Sequence, residues 1–129
     1  MGKYLIDTNQ IIDFLKGKPD ITDIIANLLK NGDMICACAI TIAETYAGCR
    51  KKEKKLTGTF LNLMEYFEIN FDTSQLAGEI IYHYRKKGIT LSVTDSLIAS
   101  VAIKNKAVLI TSNKKHFPME NLRMLEISR

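Results

Sequence analysis

Tyr4-Leu5-Ile6-Asp7-Thr8-Asn9 decides how the rest of the chain is read. An aromatic and two aliphatic residues run straight into an aspartate, and Ile11, Ile12, Phe14 and Leu15 then recur at helical spacing. The period changes from strand to helix at Asp7. In an open α/β sheet that junction lies at the carboxyl edge of the strands, where ligands bind. Asp7 is therefore either a helix cap or the start of a functional site.

The same alternation continues along the chain. Lys3–Ile6 reads as a strand and Thr8–Lys16 as a helix that Gly17-Lys18-Pro19 breaks. Asp20 is expected to cap a second helix carrying Ile21, Ile24, Ile25, Leu28 and Leu29, which stops at Asn31-Gly32. Met34–Cys38 reads as a short buried strand, followed by a helix through Ile42, Glu44 and Tyr46 and another burying Phe60, Leu61 and Met64. Alternating Phe67, Ile69 and Phe71 predict a strand over 67–71, after which Thr73 or Ser74 caps a long helix. That helix ends in Arg85-Lys86-Lys87-Gly88, cations and then glycine, as the helix dipole and C-cap favour. Thr94 or Asp95 opens a further helix with Leu97, Ile98, Val101 and Ala102 on its apolar side. Ala107–Ile110 and Met124–Ile127 read as the last strands, the second near an edge. Strands alternating with helices predict one α/β domain over 1–129, a three-layer α/β/α fold with a mainly parallel central sheet.

Composition sets the class. The 129 residues are 47% hydrophobic and 25% charged, ordinary for a folded domain with its own core. No apolar run approaches the roughly 20 residues that cross a bilayer. Met1-Gly2-Lys3 leads directly into the first strand, leaving no room for a signal peptide, so a cytoplasmic location with no membrane partner is expected. Cys36, Cys38 and Cys49 lack the spacing of a redox or zinc motif. Cys36 and Cys38, two apart in an apolar run, are expected on one face of a strand as small apolar side chains. Charge is uneven: residues 1–49 hold four Lys against six acids, a balance of −2, and residues 50–129 hold fourteen Lys and Arg against eight acids, a balance of +6. The basic runs Arg50-Lys51-Lys52, continued by Lys54 and Lys55, Arg85-Lys86-Lys87, and Lys114-Lys115-His116 are solvated faces on one reading. On the other they contact a polyanion.

Three acids fall at element boundaries. Asp7 ends the first strand, Glu44 is expected in the first turn of the helix after the second, and Asp95 at the start of the helix before Ala107–Ile110. Strand ends and the helix starts that follow them share one rim of a parallel sheet, so the three can meet. Each also has a plain structural reading, as a cap worth about 1 kcal/mol or a dipole partner worth roughly 0.3–1 kcal/mol. Against that, Ile6 and Ala43 beside them look buried, and Thr8, Thr41 and Thr94 are available as caps. Two like charges about 4 Å apart cost on the order of 4 kcal/mol at an effective dielectric near 20. A divalent cation with hard oxygen ligands, Mg²⁺ or Mn²⁺, removes that cost and suits phosphodiester hydrolysis. His83 and His116 are too far apart in sequence to suggest zinc.

Leu5-Ile6-Asp7-Thr8-Asn9, Thr41-Ile42-Ala43-Glu44, Thr94-Asp95-Ser96-Leu97-Ile98-Ala99, Val108-Leu109-Ile110-Thr111 and His116-Phe117 follow one another in an order that resembles the PIN domain family. The chain is similar in particular to the VapC-type ribonuclease toxins of prokaryotic toxin–antitoxin pairs. The resemblance implies a Mg²⁺- or Mn²⁺-dependent endoribonuclease in which Asp7, Glu44 and Asp95 hold the metal and activate water. Thr8, Asn9, Thr111 and Asn113 would support them. Such proteins often carry a fourth acid after the threonine of the last core strand; the candidate positions here are Asn113 and His116, neither acidic. The resemblance also implies an RNA substrate, a homodimer and a small antitoxin gripped by the helices between Thr41 and about Tyr66. Arg50, Lys51, Lys52, Arg85, Lys86 and Lys87 become candidate RNA-backbone contacts.

Two other classes compete. A PIN-like module that binds RNA or a partner without cleaving it is favoured by the missing fourth acid. A phosphotransferase of the haloacid-dehalogenase type would use Asp7 as nucleophile. It requires an acid two residues further on, where this chain has Asn9, and paired acids, which the sequence lacks.

Overall fold

The pleat of the strands sorts their side chains into two cores, because successive residues point to opposite faces of a sheet. The structure, a computed structural model, describes residues 1–128. Its sheet contains β1 (Lys3–Ile6), β2 (Met34–Cys38), β3 (Glu65–Phe67), β4 (Val108–Thr111) and β5 (Met124–Glu126), in the order β3-β2-β1-β4-β5 and parallel throughout. Leu5, Cys36, Cys38 and Leu109 point to one face, Ile6, Ile35, Ala37 and Ile110 to the other. Burying each of the larger of these side chains stabilises the fold by roughly 1.5–3 kcal/mol.

Helices cover both faces. On the face of Ile6 and Ile110 lie α1 (Thr8–Leu15), α2 (Pro19–Lys30) and α4 (Lys54–Leu63), which contribute Ile11, Ile21, Ile25, Leu28, Phe60 and Leu61. Phe14 and Phe60 stack with ring centroids 4.3 Å apart, fastening α1 to α4. On the face of Leu5 and Leu109 lie α5 (Phe71–Lys86) and α6 (Val93–Lys104), with Ala77, Tyr84, Ile98, Val101 and Ala102 buried among the strand residues. Between β2 and α4 runs α3 (Ala39–Ala47), followed by a 3-10 turn at Lys51–Glu53. This is the three-layer architecture that the alternation predicts. Cys36 and Cys38 share one core as expected, and burial pushes the Cys36 thiol up to about 11, leaving it a small apolar side chain.

The strand order positions the site. From β1 the chain moves outward through β2 to β3, then returns to the other side of β1 as β4. The direction of travel therefore reverses between β1 and β4, the crevice in which open α/β sheets bind ligands.

Several boundaries differ from the sequence reading, and at α5 and α6 the reason is a side chain earlier in the chain that takes the cap. The strand predicted over 67–71 lies instead at Glu65–Phe67, sharing only Phe67 with that range. Asn70 then accepts a hydrogen bond from the Thr73 N–H at 3.0 Å, so α5 starts at Phe71, whose ring is 81% exposed. Ser92, not Thr94 or Asp95, caps α6 by accepting from the Asp95 N–H at 3.0 Å. Pro19 occupies the first turn of α2 with Lys18 at the cap position, which leaves Asp20 inside the helix. The fourth strand is Val108–Thr111, one residue later than read, and Met124–Glu126 is an edge strand one residue shorter. Gly88, at φ +81°, turns the chain after α5 as its position predicts.

Replacing Asn70 by Ala is expected to cost about 1 kcal/mol of unfolding free energy in a denaturant titration. Ser74→Ala, at the position first expected to cap, should stay within about 0.5 kcal/mol of the parent.

Candidate active site

Asp7 follows the last residue of β1, and Thr111 is the last residue of β4. The pairing of Ile6 with Ile110 places these two side by side at the carboxyl edge. The Asp7 N–H donates to the Ile110 carbonyl at 2.9 Å, so the ladder continues one step past the strand and fixes the backbone of Asp7. Its side chain then does two things at once. Oδ1 accepts from the Thr8 N–H at 2.9 Å, which makes Asp7 the N-cap of α1. Oδ2 accepts from the Thr111 hydroxyl at 2.8 Å. The cap to α1 and the bond to Thr111 thus belong to one rotamer of Asp7. Thr111 in turn accepts from the Asn113 N–H at 2.9 Å, so the loop after β4 is tied into the same chain of hydrogen bonds.

Glu44 joins from α3. The Thr8 hydroxyl donates to Glu44 Oε1 at 2.6 Å, linking the first residue of α1 to the helix that follows β2. Glu44 lies beyond the first turn of α3, which contains no acid, so it does not answer the dipole there. Both Glu44 and Ala43 are exposed, against the expectation that Ala43 is buried. Thr41, wholly buried, is the residue that ties off the start of α3, accepting from the Cys38 N–H at 3.0 Å. Asp95 comes from the first turn of α6, and its charge, like that of Glu44, reaches Asp7. Asn9 is half-buried in the first turn of α1.

The electrostatics follow from burial. Asp7 is only 7% exposed, and desolvation raises its pKa above the ordinary carboxylate value of 3.8. The hydrogen bonds from Thr111 and Thr8 pull the other way, and the negative charges of Asp95 and Glu44 push it up again. An all-oxygen donor set in which one carboxylate is held half-desolvated beside two others suits a hard divalent cation. Among the described residues no three His, Cys, Asp or Glu side chains stand close enough together to hold a metal ion between them. A water-rich Mg²⁺ or Mn²⁺ site needs no such group, because these ions keep several waters and take one or two carboxylates directly.

The sequence reads His116 within a basic run, as unsuited to zinc, and as an alternative position for an acid. In the structure its Nδ1 lies 3.7 Å from Asp95 Oδ2. The signal available was its place in the loop that leaves the end of β4. The basic runs separate. Arg50 is engaged by Glu53 at 3.1 Å, and Lys52 lines a groove of about 310 Å³ between α1 and α4 together with Ile12, Leu15 and Leu56. Lys51 is exposed. Residues from the start of α5, Asn70 to Thr73, share a cavity with Lys104 and Asn105 at the end of α6, so the two packed helices are antiparallel. Arg85, Lys86 and Lys87, all exposed, are thereby carried to the end of the pair at which Asp95 lies. Tyr84 confirms the direction: its hydroxyl donates to the Pro118 carbonyl at 3.0 Å, two residues beyond His116.

Because the folded protein disfavours the ionised form of Asp7, that charge destabilises the metal-free fold above its raised pKa and ceases to do so near the unfolded value of 3.8. Asp7→Asn, measured in chelator by thermal unfolding, is therefore expected to be more stable than the parent at pH 7. The difference should shrink steadily as the pH is lowered toward 4.

Comparison with known proteins identifies the family of the fold. The PIN domain model matches residues 4–119. Ribonuclease VapC19 of Mycobacterium tuberculosis is 33% identical over 115 residues, covering 89% of this chain and 92% of that protein. Ribonuclease VapC2 of Rickettsia felis is 30% identical over 119 residues, 88% of this chain and 89% of the relative. The structure of VapBC2 from Rickettsia felis bound to a DNA fragment from its promoter superposes with a TM-score of 0.84 at 28% identity, over 98% of this chain and 99% of that one. VapBC-1 from nontypeable Haemophilus influenzae gives 0.80 at 26% identity, over 96% and 97%. With the family model spanning most of its length and a carboxylate fixed at the reversal of its strand order, the chain belongs to the PIN domain family.

Proposed function

We propose that this protein is a divalent-metal-dependent endoribonuclease and the toxin of a toxin–antitoxin pair. The observation that carries the reading is the Asp7 carboxylate, buried at the β1/β4 reversal, gripped by Thr8 and Thr111 and pressed by two further acids. A fold does not leave charge there without use, since an Asn or Ser cap would hold α1 at less electrostatic cost. The names of the relatives, ribonucleases of the VapC group, supply the reaction and the substrate class. The VapBC assemblies whose toxin chains share this fold supply the antitoxin partner.

Asp7, Glu44 and Asp95 would hold Mg²⁺ or Mn²⁺. An ion held there would supply charge neutralisation at the phosphoryl group and a more acidic water. The chain's own residues do the positioning. Thr111 and the Thr8 N–H fix both oxygens of Asp7, so that carboxylate is set before substrate arrives. Glu44, exposed and anchored at Oε1 by Thr8, would orient water and accept its proton. Asn113 orients Thr111 through its backbone. Asn9 completes the first turn behind Asp7. Arg85, Lys86 and Lys87 meet the RNA backbone, with Arg50, Lys51 and Lys52 as a second contact strip, and two copies of the chain form the working dimer.

Asp7→Asn and Asp95→Asn are each expected to lower cleavage of a single-stranded RNA by roughly 10²-fold or more. Chelation should abolish cleavage and added Mg²⁺ or Mn²⁺ restore it. Undiminished cleavage by both variants removes the acidic site, and tight RNA binding without metal-dependent cleavage by the parent replaces the nuclease with a binding module. Arg85, Lys86 and Lys87 changed together to Ala should weaken RNA binding and flatten its dependence on log salt by about two units, measured by fluorescence anisotropy across a salt series.

A further inference from the structure

The edge of the sheet opposite Asp7 gathers three cations that no run in the sequence announces. Lys3 opens β1, Lys106 lies in the turn between α6 and β4, and Arg123 stands one residue before β5. Because the strands are parallel their starts share one rim, and the three residues line one concavity of about 330 Å³ with Tyr4 and Val108. All three cations are exposed. None has an acid within ion-pair distance among the described residues. Asp33, which reaches the wall of that concavity, is engaged by the Gly2 N–H at 2.8 Å.

Two features separate this group from an ordinary solvated face. Lys106 has φ +55° and is the only residue other than glycine with a positive φ among the described residues. It closes α6: the N–H groups of Lys106 and Ala107 donate to the Ile103 and Ala102 carbonyls at 3.2 and 2.8 Å. That turn favours glycine, and the matching residues after α1, α2 and α5 are Gly17, Gly32 and Gly88. A side chain there costs stability, and the exposed lysine recovers none of it through burial. The second feature is the Arg123 guanidinium, which donates to the Lys106 carbonyl at 2.8 Å. A carbonyl fixes the group without cancelling its charge. Its remaining N–H donors form a planar fork of the kind that grips phosphate.

We propose that Lys3, Lys106 and Arg123 form a second contact for RNA backbone phosphate, remote from the acidic edge. The choice of RNA rests on the ribonuclease reading above. Lys106 and Thr111 lie at opposite ends of β4, so the two edges stand on the order of 15 Å apart. Only a long or folded RNA meets both.

Binding of an RNA hairpin with a stem of about 16 base pairs, followed by fluorescence anisotropy across a KCl series, tests the assignment. Chelator is present throughout, so that binding is read without cleavage. The full-length parent is compared with Lys106→Gly and with a triple variant, Lys3→Ala, Lys106→Gly and Arg123→Ala. The triple variant is expected to bind roughly 10-fold more weakly and to flatten the dependence of log affinity on log salt by about two units. Lys106→Gly alone should weaken binding about 3-fold and melt at a higher temperature than the parent. In amide NMR the hairpin should shift the signals of Lys106 and Arg123. Unchanged affinity and salt slope in the triple variant, or stationary Lys106 and Arg123 amides at saturating RNA, overturn the contact. A lower melting temperature for Lys106→Gly also overturns it, because the lysine then serves the turn. Loss of poly-glutamate binding with RNA binding intact does the same and assigns the face to an acidic protein. Failure of the ribonuclease reading looks different: the parent then leaves RNA uncut when Mg²⁺ or Mn²⁺ is restored, while the binding loss in chelator stands.

Discussion

One hydrogen bond, from the Thr111 hydroxyl to Asp7 Oδ2, spans 104 residues of sequence and joins the two strands between which the fold reverses. It forms only if β1 and β4 are neighbours, in register, and both end at the same height. Everything that secures those three conditions therefore secures the site. Ile6 and Ile110, directly paired and fully buried, set the register; Leu5 and Leu109 do the same for the opposite core. A slip of one residue would turn every strand side chain to the wrong face. The apolar cost of such a slip, several buried aliphatic residues at roughly 1.5–3 kcal/mol each, exceeds what one polar contact contributes. Packing sets the geometry of the carboxylate, and the hydrogen bond only finishes it.

The same carboxylate works against the fold that holds it. Burial and the charges of Glu44 and Asp95 make ionised Asp7 unfavourable, and two hydrogen bonds offset this only in part, since its pKa stays above the ordinary value. A carboxylate kept at such a cost to stability is a candidate for a functional role. The compensation is local. Oδ1 caps α1, and Thr8 carries the restraint on to Glu44, so the group that strains the electrostatics also begins one helix and steadies another.

Much of this was legible in sequence. Residues 34–38 show continuous apolar character because a central parallel strand is buried on both faces, and β2 has the bounds read from it. Asp7 stood out because the hydrophobic period changes at that residue. What sequence could not separate was cap from near-cap. Asn70, Thr73 and Ser74 all cap helices well; only the backbone decides which of them does, and it chose Asn70, converting an apparent alternation at Phe71 into an exposed first turn. Ser92 displaced Thr94 and Asp95 for the same reason, and in doing so left Asp95 inside the turn with its carboxylate unneeded for capping. Glu44 was located by helix but not by turn, because a bond to Thr8 from another helix leaves no trace in local spacing.

Charge placement completes the picture. The acids at the carboxyl edge and the cations at the end of α5 are held on different elements, which keeps them from simply neutralising one another. The antiparallel pairing of α5 and α6 achieves this. It starts one helix and ends the other at Asp95, so that Arg85, Lys86 and Lys87 arrive at the acidic end from a different element. None of these three has an acid within ion-pair distance among the described residues, unlike Arg50, whose guanidinium Glu53 already engages. Favourable dipole placement at the end of α5 adds a reason for the cations to be there that owes nothing to a ligand. The two reasons are separable in principle, because a dipole partner needs only its charge, whereas a backbone contact needs that charge on the side of the helix pair that faces the acids.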